Sequence, residues 1–271
     1  MKHRSFARWA LGGGVIILLL AVVGLGLLMG GRADDGTLER VQATDELRVG
    51  LDASFPPFES LDADGNIVGI DADLAQAIAA ALGAEPVFVN VGFDGLYDAL
   101  WAGRVDVVIS GLPYDPRRTQ DVNYSQPYFN AGQVLVVRAD DVAFISSSGI
   151  PMPGLLSGRI VAVEWGSLAD MEARRLRETA EGLETLPQPT AQGALNALVA
   201  GEADAAIADA VSAYQFIGES DERVRIAEVL TDEPYVIATR VKSRRLAGAI
   251  DDALAELRES GALDELMDGW F

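Results

Sequence analysis

The chain has no cysteine, a single histidine and about half as many basic as acidic side chains. Without cysteine there is no disulfide framework, thiolate zinc site, iron–sulfur cluster or acylated-cysteine anchor. The one imidazole, His3, sits in an N-terminal basic segment, which excludes Ser-His-Asp chemistry and histidine-based metal sites. No cofactor or metal is expected. With 41 acidic against 21 basic residues, a net charge of −20, nucleic acid is excluded as a partner, because phosphate affinity needs clustered Lys and Arg. The 271 residues suffice for one large domain or two small ones.

The chain does contain one long apolar run. Lys2, Arg4 and Arg8 precede an uncharged stretch from Trp9 to Gly31, followed by Arg32, Asp34 and Asp35. Basic residues before such a stretch keep the N-terminus in the cytoplasm and carry the rest of the chain outward. A run of about 20 residues spans a bilayer and exceeds the usual signal-peptide core. Residues 1–33 are therefore read as an uncleaved anchor or a signal peptide, with Gly31-Arg32-Ala33 a small-x-small cleavage site. The exported remainder keeps 17 basic residues and all 41 acids, a net charge of −24. Residues 34–44 are polar and read as a linker.

Beyond the linker the pattern is α/β. Short apolar strands at 47–51, 67–70, 87–89 and 105–109 alternate with helical spacing at Leu74, Ala75, Ile78, Ala79 and Leu82, and with a helix over 94–102. The rhythm returns as a strand at 160–163, helices near 168–180 and 191–200, a strand at 203–207 and a helix near 210–217. An amphipathic helix comes last, with Leu246, Ile250, Leu254 and Leu257 on one face. Mostly parallel sheets are expected.

An internal repeat organises this pattern. GLYDALWAGRVDVVI (95–109) and GALNALVAGEADAAI (193–207) share seven of fifteen positions at a constant offset of 98. Two lobes of similar topology are expected. Ligands of open α/β sheets lie beyond the carboxyl ends of the strands. The residues leaving the two repeated strands are Ser110-Gly111 and Ala208-Asp209, so a cleft between them is the candidate site. An acid on one wall and the Arg117-Arg118 pair near the other suit a zwitterion. Simpler roles stand beside these: Arg118 in a solvated helix start, Asp209 as a helix N-cap, Phe55 and Phe93 as core, Asp106 and Asp204 as structural turn residues.

LRVGLDASFPPFE (47–59), NIVGIDADLAQAIAAALG (66–83), GFDGLYDALWAGRVDVVISGL (92–112), DVNYSQPYFNAGQVLVV (121–137) and LDELMDGWF (263–271) resemble the family 3 extracellular solute-binding proteins. These are the amino-acid-capturing subunits of ABC importers. The resemblance implies a two-lobed type II periplasmic-binding-protein-like fold with two hinge crossings. Lobe 1 would hold 45–136 and 237–271, lobe 2 137–236, and the crossings would lie near 135–139 and 233–237. It implies that Asp52, Phe55 and Phe93 contact the ligand, with the strand end at Ser110 and Gly111. Arg118 would bind its carboxylate, Gly166, Ser167 and Leu168 would open a helix toward it, and Asp209 would take its ammonium. Glu164 and Trp165 are expected on the second wall.

The chemistry of these residues is compatible with that assignment. Arg grips a carboxylate in two places, a helix start adds N–H donors, and Phe rings offer flat walls with cation–π attraction. One position departs from the family pattern: Pro113 stands where Ser or Thr is usual and supplies neither hydroxyl nor N–H. The expected function is capture of a small zwitterion, a polar or basic amino acid rather than glutamate, by hinge closure and its delivery to a membrane permease. The expected form is a monomer outside the cytoplasm, secreted or held by its N-terminal helix. No enzyme activity is expected. The alternatives are a cyclohexadienyl dehydratase-like enzyme, with Glu164 or Asp52 as general acid, and an anchored sensory domain.

Overall fold

The computed structural model describes residues 34–141, 144, 152–219 and 223–271. The expected N-terminal membrane helix lies outside these residues. Among them, no helix is long and apolar enough to cross a membrane.

The chain enters through helix α1 (Thr37–Thr44) and strand β1 (Glu46–Leu51). A hairpin of β2 (Ser60–Leu61) and β3 (Ile67–Val68) leads into α2 (Ile70–Ala81), β4 (Glu85–Asn90), α3 (Leu96–Trp101) and β5 (Val107–Val108). Next come β6 (Val122–Tyr124) and β7 (Phe129–Asn130). The second half runs β8 (Gln133–Arg138), α4 (Met152–Leu156), β9 (Ile160–Glu164), α5 (Leu168–Arg177) and β10 (Glu184–Gln188). It continues through α6 (Ala191–Val199), β11 (Ala205–Asp209), α7 (Ala210–Glu219) and β12 (Val224–Val229). The chain returns by β13 (Pro234–Tyr235) and β14 (Ala238–Arg240), and finishes on α8 (Arg244–Glu259) and α9 (Ala262–Asp268).

Two five-stranded sheets result, in the orders β4-β1-β5-β14-β6 and β10-β9-β11-β8-β12. They are mixed rather than mostly parallel. In each, two neighbouring pairs are parallel and two antiparallel. The antiparallel strand at the fourth place of each sheet, β14 or β8, is the one that comes after a crossing from the other lobe. The parallel strands end at the cleft, whereas an arriving strand starts there and so runs the opposite way. The edge strands β10 and β12 escaped the sequence pattern, because half-exposed edges carry no continuous apolar run; Pro187 fits an edge position.

The repeat is visible bond by bond. Helices α3 and α6 both end in a left-handed glycine, Gly103 (φ 68°) and Gly201 (φ 77°), which an L side chain would strain. The bonds Ala102 N–H to Asp98, Gly103 to Leu100 and Arg104 to Ala99 recur as Ala200 to Asn196, Gly201 to Leu198 and Glu202 to Ala197. Asp106 and Asp204 each tie their strand to the first parallel strand of their own sheet. Asp106 donates its N–H to the Arg48 carbonyl and accepts the Arg48 N–H at 2.9 Å; Asp204 does the same with Ile160, also at 2.9 Å. Asp106 is buried and also holds the guanidinium groups of Arg48 at 2.7 Å and Arg40 at 2.5 Å.

Two boundaries differ from expectation. The stretch expected to be a linker is largely helix α1, because Leu38 and Val41 are apolar enough to bury against β1 and α8. Asp35 reinforces it by accepting from Ser243 at 2.7 Å and Arg240 at 3.2 Å. The crossings also move. Strand β8 lies wholly in the second sheet, so the chain crosses at 131–132 rather than 135–139, and returns at 231–233 rather than 233–237. There β7 pairs with β13. The Asn130 side chain accepts from Gly132 N–H (3.0 Å) and Glu233 N–H (2.9 Å) and donates to Asp232 (3.0 Å).

Asp106→Ala is expected to cost about 1.5–3 kcal/mol, the range for hydrogen bonds to charged groups. Asp204→Ala, which gives up a backbone contact and no arginine pair, is expected to cost nearer ~1 kcal/mol. Equal losses in denaturant midpoints of the two variants would contradict this account.

Candidate functional site

The strand ends of the two sheets carry two separate cavities. The first, about 300 Å³, is lined by Asp52, Ser54, Phe55, Glu59, Phe93, Ser110, Gly111, Pro113 and Tyr235. Asp52 is held in place from three sides. Its N–H donates to Ser110 Oγ (3.0 Å), and its carboxylate accepts the Phe93 N–H (2.7 Å) and the Ser54 hydroxyl (2.8 Å). Phe55 and Phe93 are not core: they are 41% and 46% exposed, as cavity walls require. Phe55 stacks on buried Phe58, with centroids 5.4 Å apart, and Phe58 meets Phe129 and Tyr235 edge-on. The wall thus rests on aromatics from β7 and β13. Gly111 adopts φ +47°, and a Cβ there would sit 2.9 Å from the Phe55 ring. Pro113 contributes to the wall and bridges to Tyr235.

The second cavity, about 240 Å³, is lined by Gln133, Glu164, Ser167, Leu168, Ala169, Ala191, Ile207, Ala208 and Asp209. Gly166 (φ +75°) makes the turn from β9 into α5, and its N–H donates to Asp170 at 3.0 Å. Ser167 caps α5, accepting from the Asp170 N–H at 3.4 Å. Asp209 fulfils its N-cap role toward α7, accepting from the Ser212 N–H at 2.8 Å, and also faces the cavity. Trp165 is 72% exposed and Leu168 59%, which leaves apolar surface at the cleft.

Arg118 lies in neither cavity. Its guanidinium stacks on Tyr97, 4.2 Å from the ring centre, and pairs with Asp115 at 3.6 Å. It borders an adjoining cavity that shares Phe93 and Pro113 with the first. Asp115 thus engages the arginine for which a carboxylate role was expected.

Sequence reasoning missed the layer beneath the first cavity. Glu59 accepts the Ser110 hydroxyl at 2.6 Å, and Asp71 accepts the Gly111 N–H at 2.5 Å. Both acids are buried, as is Tyr128. Burial, and then the charge of Asp71, pushes the Glu59 carboxyl up to about 10; burial pushes Asp71 up to about 6. A signal was present: Glu59 ends an apolar PPFE run and Asp71 opens an apolar helix. Gln133 and Tyr235 also line the cavities and were not foreseen.

The comparisons agree with one another. A sequence profile described as bacterial extracellular solute-binding proteins, family 3, matches residues 47–271. The ABC transporter arginine-binding protein 1 of Escherichia coli (strain K12) is 27% identical over 234 residues, covering 84% of this chain and 92% of its own. The L-cystine-binding protein TcyJ of the same strain is 27% identical over 272 residues, covering 100% of this chain and 98% of its own. Among solved structures, an ancestral cationic amino acid solute binding protein (AncCDT-1) is 31% identical and aligns with a TM-score of 0.60, covering 87% of this chain and 99% of that one.

Gly111→Ala is expected to destabilise the protein by about 1–3 kcal/mol through the forced left-handed backbone and the displaced Phe55 ring. An unchanged denaturation midpoint would contradict the assigned turn.

Proposed function

The chain belongs to the bacterial extracellular solute-binding proteins, family 3, and from that premise we propose that it captures a polar or basic amino acid and hands it to an ABC importer. The observation that carries the proposal is the pair of half-sites at equivalent strand ends, 98 residues apart, each with an acid and an apolar wall. The ligand's ammonium meets Asp209 from one side and Asp52 from the other. Its side chain lies along Phe55 and Phe93, where a cation gains from the ring faces. With Asp52 and Glu164 on opposite walls and Arg118 engaged by Asp115, a second ligand carboxylate is disfavoured.

Closure is a consequence of the geometry. A ligand that touches both walls stabilises only the arrangement in which they meet, and the paired crossings at Asn130 and Glu233 are the hinge. On closing, the carboxylate draws Arg118 from Asp115 and meets the start of α5. The permease recognises the closed form, and residues 1–33 direct the protein outward or hold it at the membrane. The two Escherichia coli relatives are binding proteins, and we read this chain likewise as a binding protein and not an enzyme.

Arginine or glutamine at a hundredfold excess over its Kd is expected to raise stability by about 2.7 kcal/mol, with glutamate far less effective. Asp209→Ala and Arg118→Ala are each expected to abolish the thermal shift. Tight glutamate binding without a response to arginine or glutamine would overturn the ligand class. Shifts like the parent protein's in both variants would overturn the site.

A further inference from the structure

We propose that Glu59 and Asp71 share one proton beneath the first half-site and act as positioning residues that hold Ser110, Gly111 and, through Ser110, Asp52 in the arrangement that receives the ligand. The proposal rests on the reading of those three residues as ligand-facing, and deepens it.

The two acids meet because of a backbone feature. Gly69 (φ +136°) has no room for a Cβ against the Phe58 carbonyl, and so lets the start of α2 pack under the 57–59 loop. There Ile70 N–H donates to Pro57 at 3.0 Å and Asp71 N–H to Phe58 at 2.8 Å. One oxygen of each acid is used on the site: Glu59 Oε1 by Ser110, Asp71 Oδ2 by Gly111. The other oxygens, Glu59 Oε2 and Asp71 Oδ1, are buried, as is Tyr128 Oη, and these groups face one another: Asp71 interacts through side-chain hydrogen bonds with both the Glu59 carboxyl and the Tyr128 hydroxyl. Among the described residues, no lysine or arginine forms an ion pair with either acid.

Two bare carboxylates in such a place are too costly to coexist, whereas one proton turns the repulsion into a hydrogen bond. Asp71 sits in the first turn of α2, where the helix favours a negative charge. It also accepts a backbone N–H, so it is the charged member and Glu59 carries the proton. The ionisable groups facing the pair are Asp52, Tyr128 and Tyr235, and an unprotonated Glu59 is repelled by Asp52 and Asp71 alike. Deprotonation would push apart Glu59 and Asp71, and with them Ser110 and Gly111, which hang on one acid each. The raised Glu59 carboxyl fixes the sign. Its contribution to stability is complete below the ordinary carboxyl range, near pH 4.5, and is lost as the pH rises toward about 10.

The test uses the full chain, with thermal unfolding from pH 5 to 9.5 without ligand and arginine affinity by calorimetry at pH 6 and pH 9. The parent protein is expected to lose stability with rising pH more steeply than E59Q, the difference approaching about tenfold per pH unit in the folding equilibrium. E59A is expected to weaken arginine binding at pH 6 at least ~10-fold, by the loss of a charge-assisted hydrogen bond, and E59Q to restore most of it. Parallel pH profiles of the parent and E59Q overturn the proposal, as does an E59Q as weak as E59A. Should either variant fail to fold, the infrared spectrum of the parent decides. A neutral carboxylic acid band persisting at pH 8 is expected, and its absence overturns the proposal. If the parent shows the pH slope and the infrared band but binds no arginine, the shared proton stands and the ligand assignment fails.

Discussion

Everything in this molecule depends on how few places the chain passes between its two sheets. It crosses at 131–132 and returns at 231–233, and the Asn130 amide pins the two passages together by bonding to Gly132, Asp232 and Glu233. Besides these passages, Phe271 packs on Tyr214 of α7, with centroids 5.2 Å apart, while each sheet keeps its own core; under the proposed closure, the conformational change would be absorbed by these few residues. The same constraint sets strand direction: an arriving strand begins at the cleft and so lies antiparallel to those that end there. The cleft is therefore the place to which both sheets point.

The wall of the first cavity and the β7–β13 crossing are physically continuous. Phe55 lines the first cavity and stacks on Phe58, which packs on Phe129 of β7 and Tyr235 of β13. Phe129 reaches Tyr214 of the second lobe, with centroids 5.9 Å apart. Under the proposed binding mode, a ligand pressing on Phe55 would therefore press on aromatic packing that spans the crossing. Electrostatics acts in parallel. Asp52 lines the first cavity and Asp209 the second, with Glu59 and Asp71 at the buried side of the first, so under the proposed closure acids on opposite walls would come together and call for a cation between them.

How much of this was legible in the sequence depended on which interactions leave a local trace. The repeat was, because a helix ending in Ala-Gly and a strand preceded by Asp need the same residue types in both lobes; Asp106 and Asp204 prove to do one job. Helix α8 was legible from Leu246, Ile250 and Leu254. The edge strands β10 and β12 were not, since half-exposed backbone pairing needs no apolar run. Helix α1 was read as a linker because Leu38 and Val41 are the only apolar residues it buries, beside the polar Thr37. At the site, most of the residues lining the two cavities were reached from the strand ends and the family resemblance, but Glu59, Gln133 and Tyr235 were not. Arg118 shows the limit: its type fits a carboxylate, but Asp115, only three residues before it, supplies a local carboxylate that competes for it, and which of the two roles prevails is not written in the spacing. Glu59 was hidden for the opposite reason, because an acid in a loop motif reads as exposed until its burial is seen.

The central claim is that the two half-sites become one when ligand binds. The cysteine-free chain makes it directly measurable: paired spin labels at D94C, beside Phe93, and M171C, on α5 near Leu168, report the width of the cleft by electron double resonance. Arginine is expected to shorten and narrow the distance distribution, and D209A to leave it as in the unliganded protein. An unchanged distribution in protein that calorimetry shows to be saturated with arginine would contradict the account.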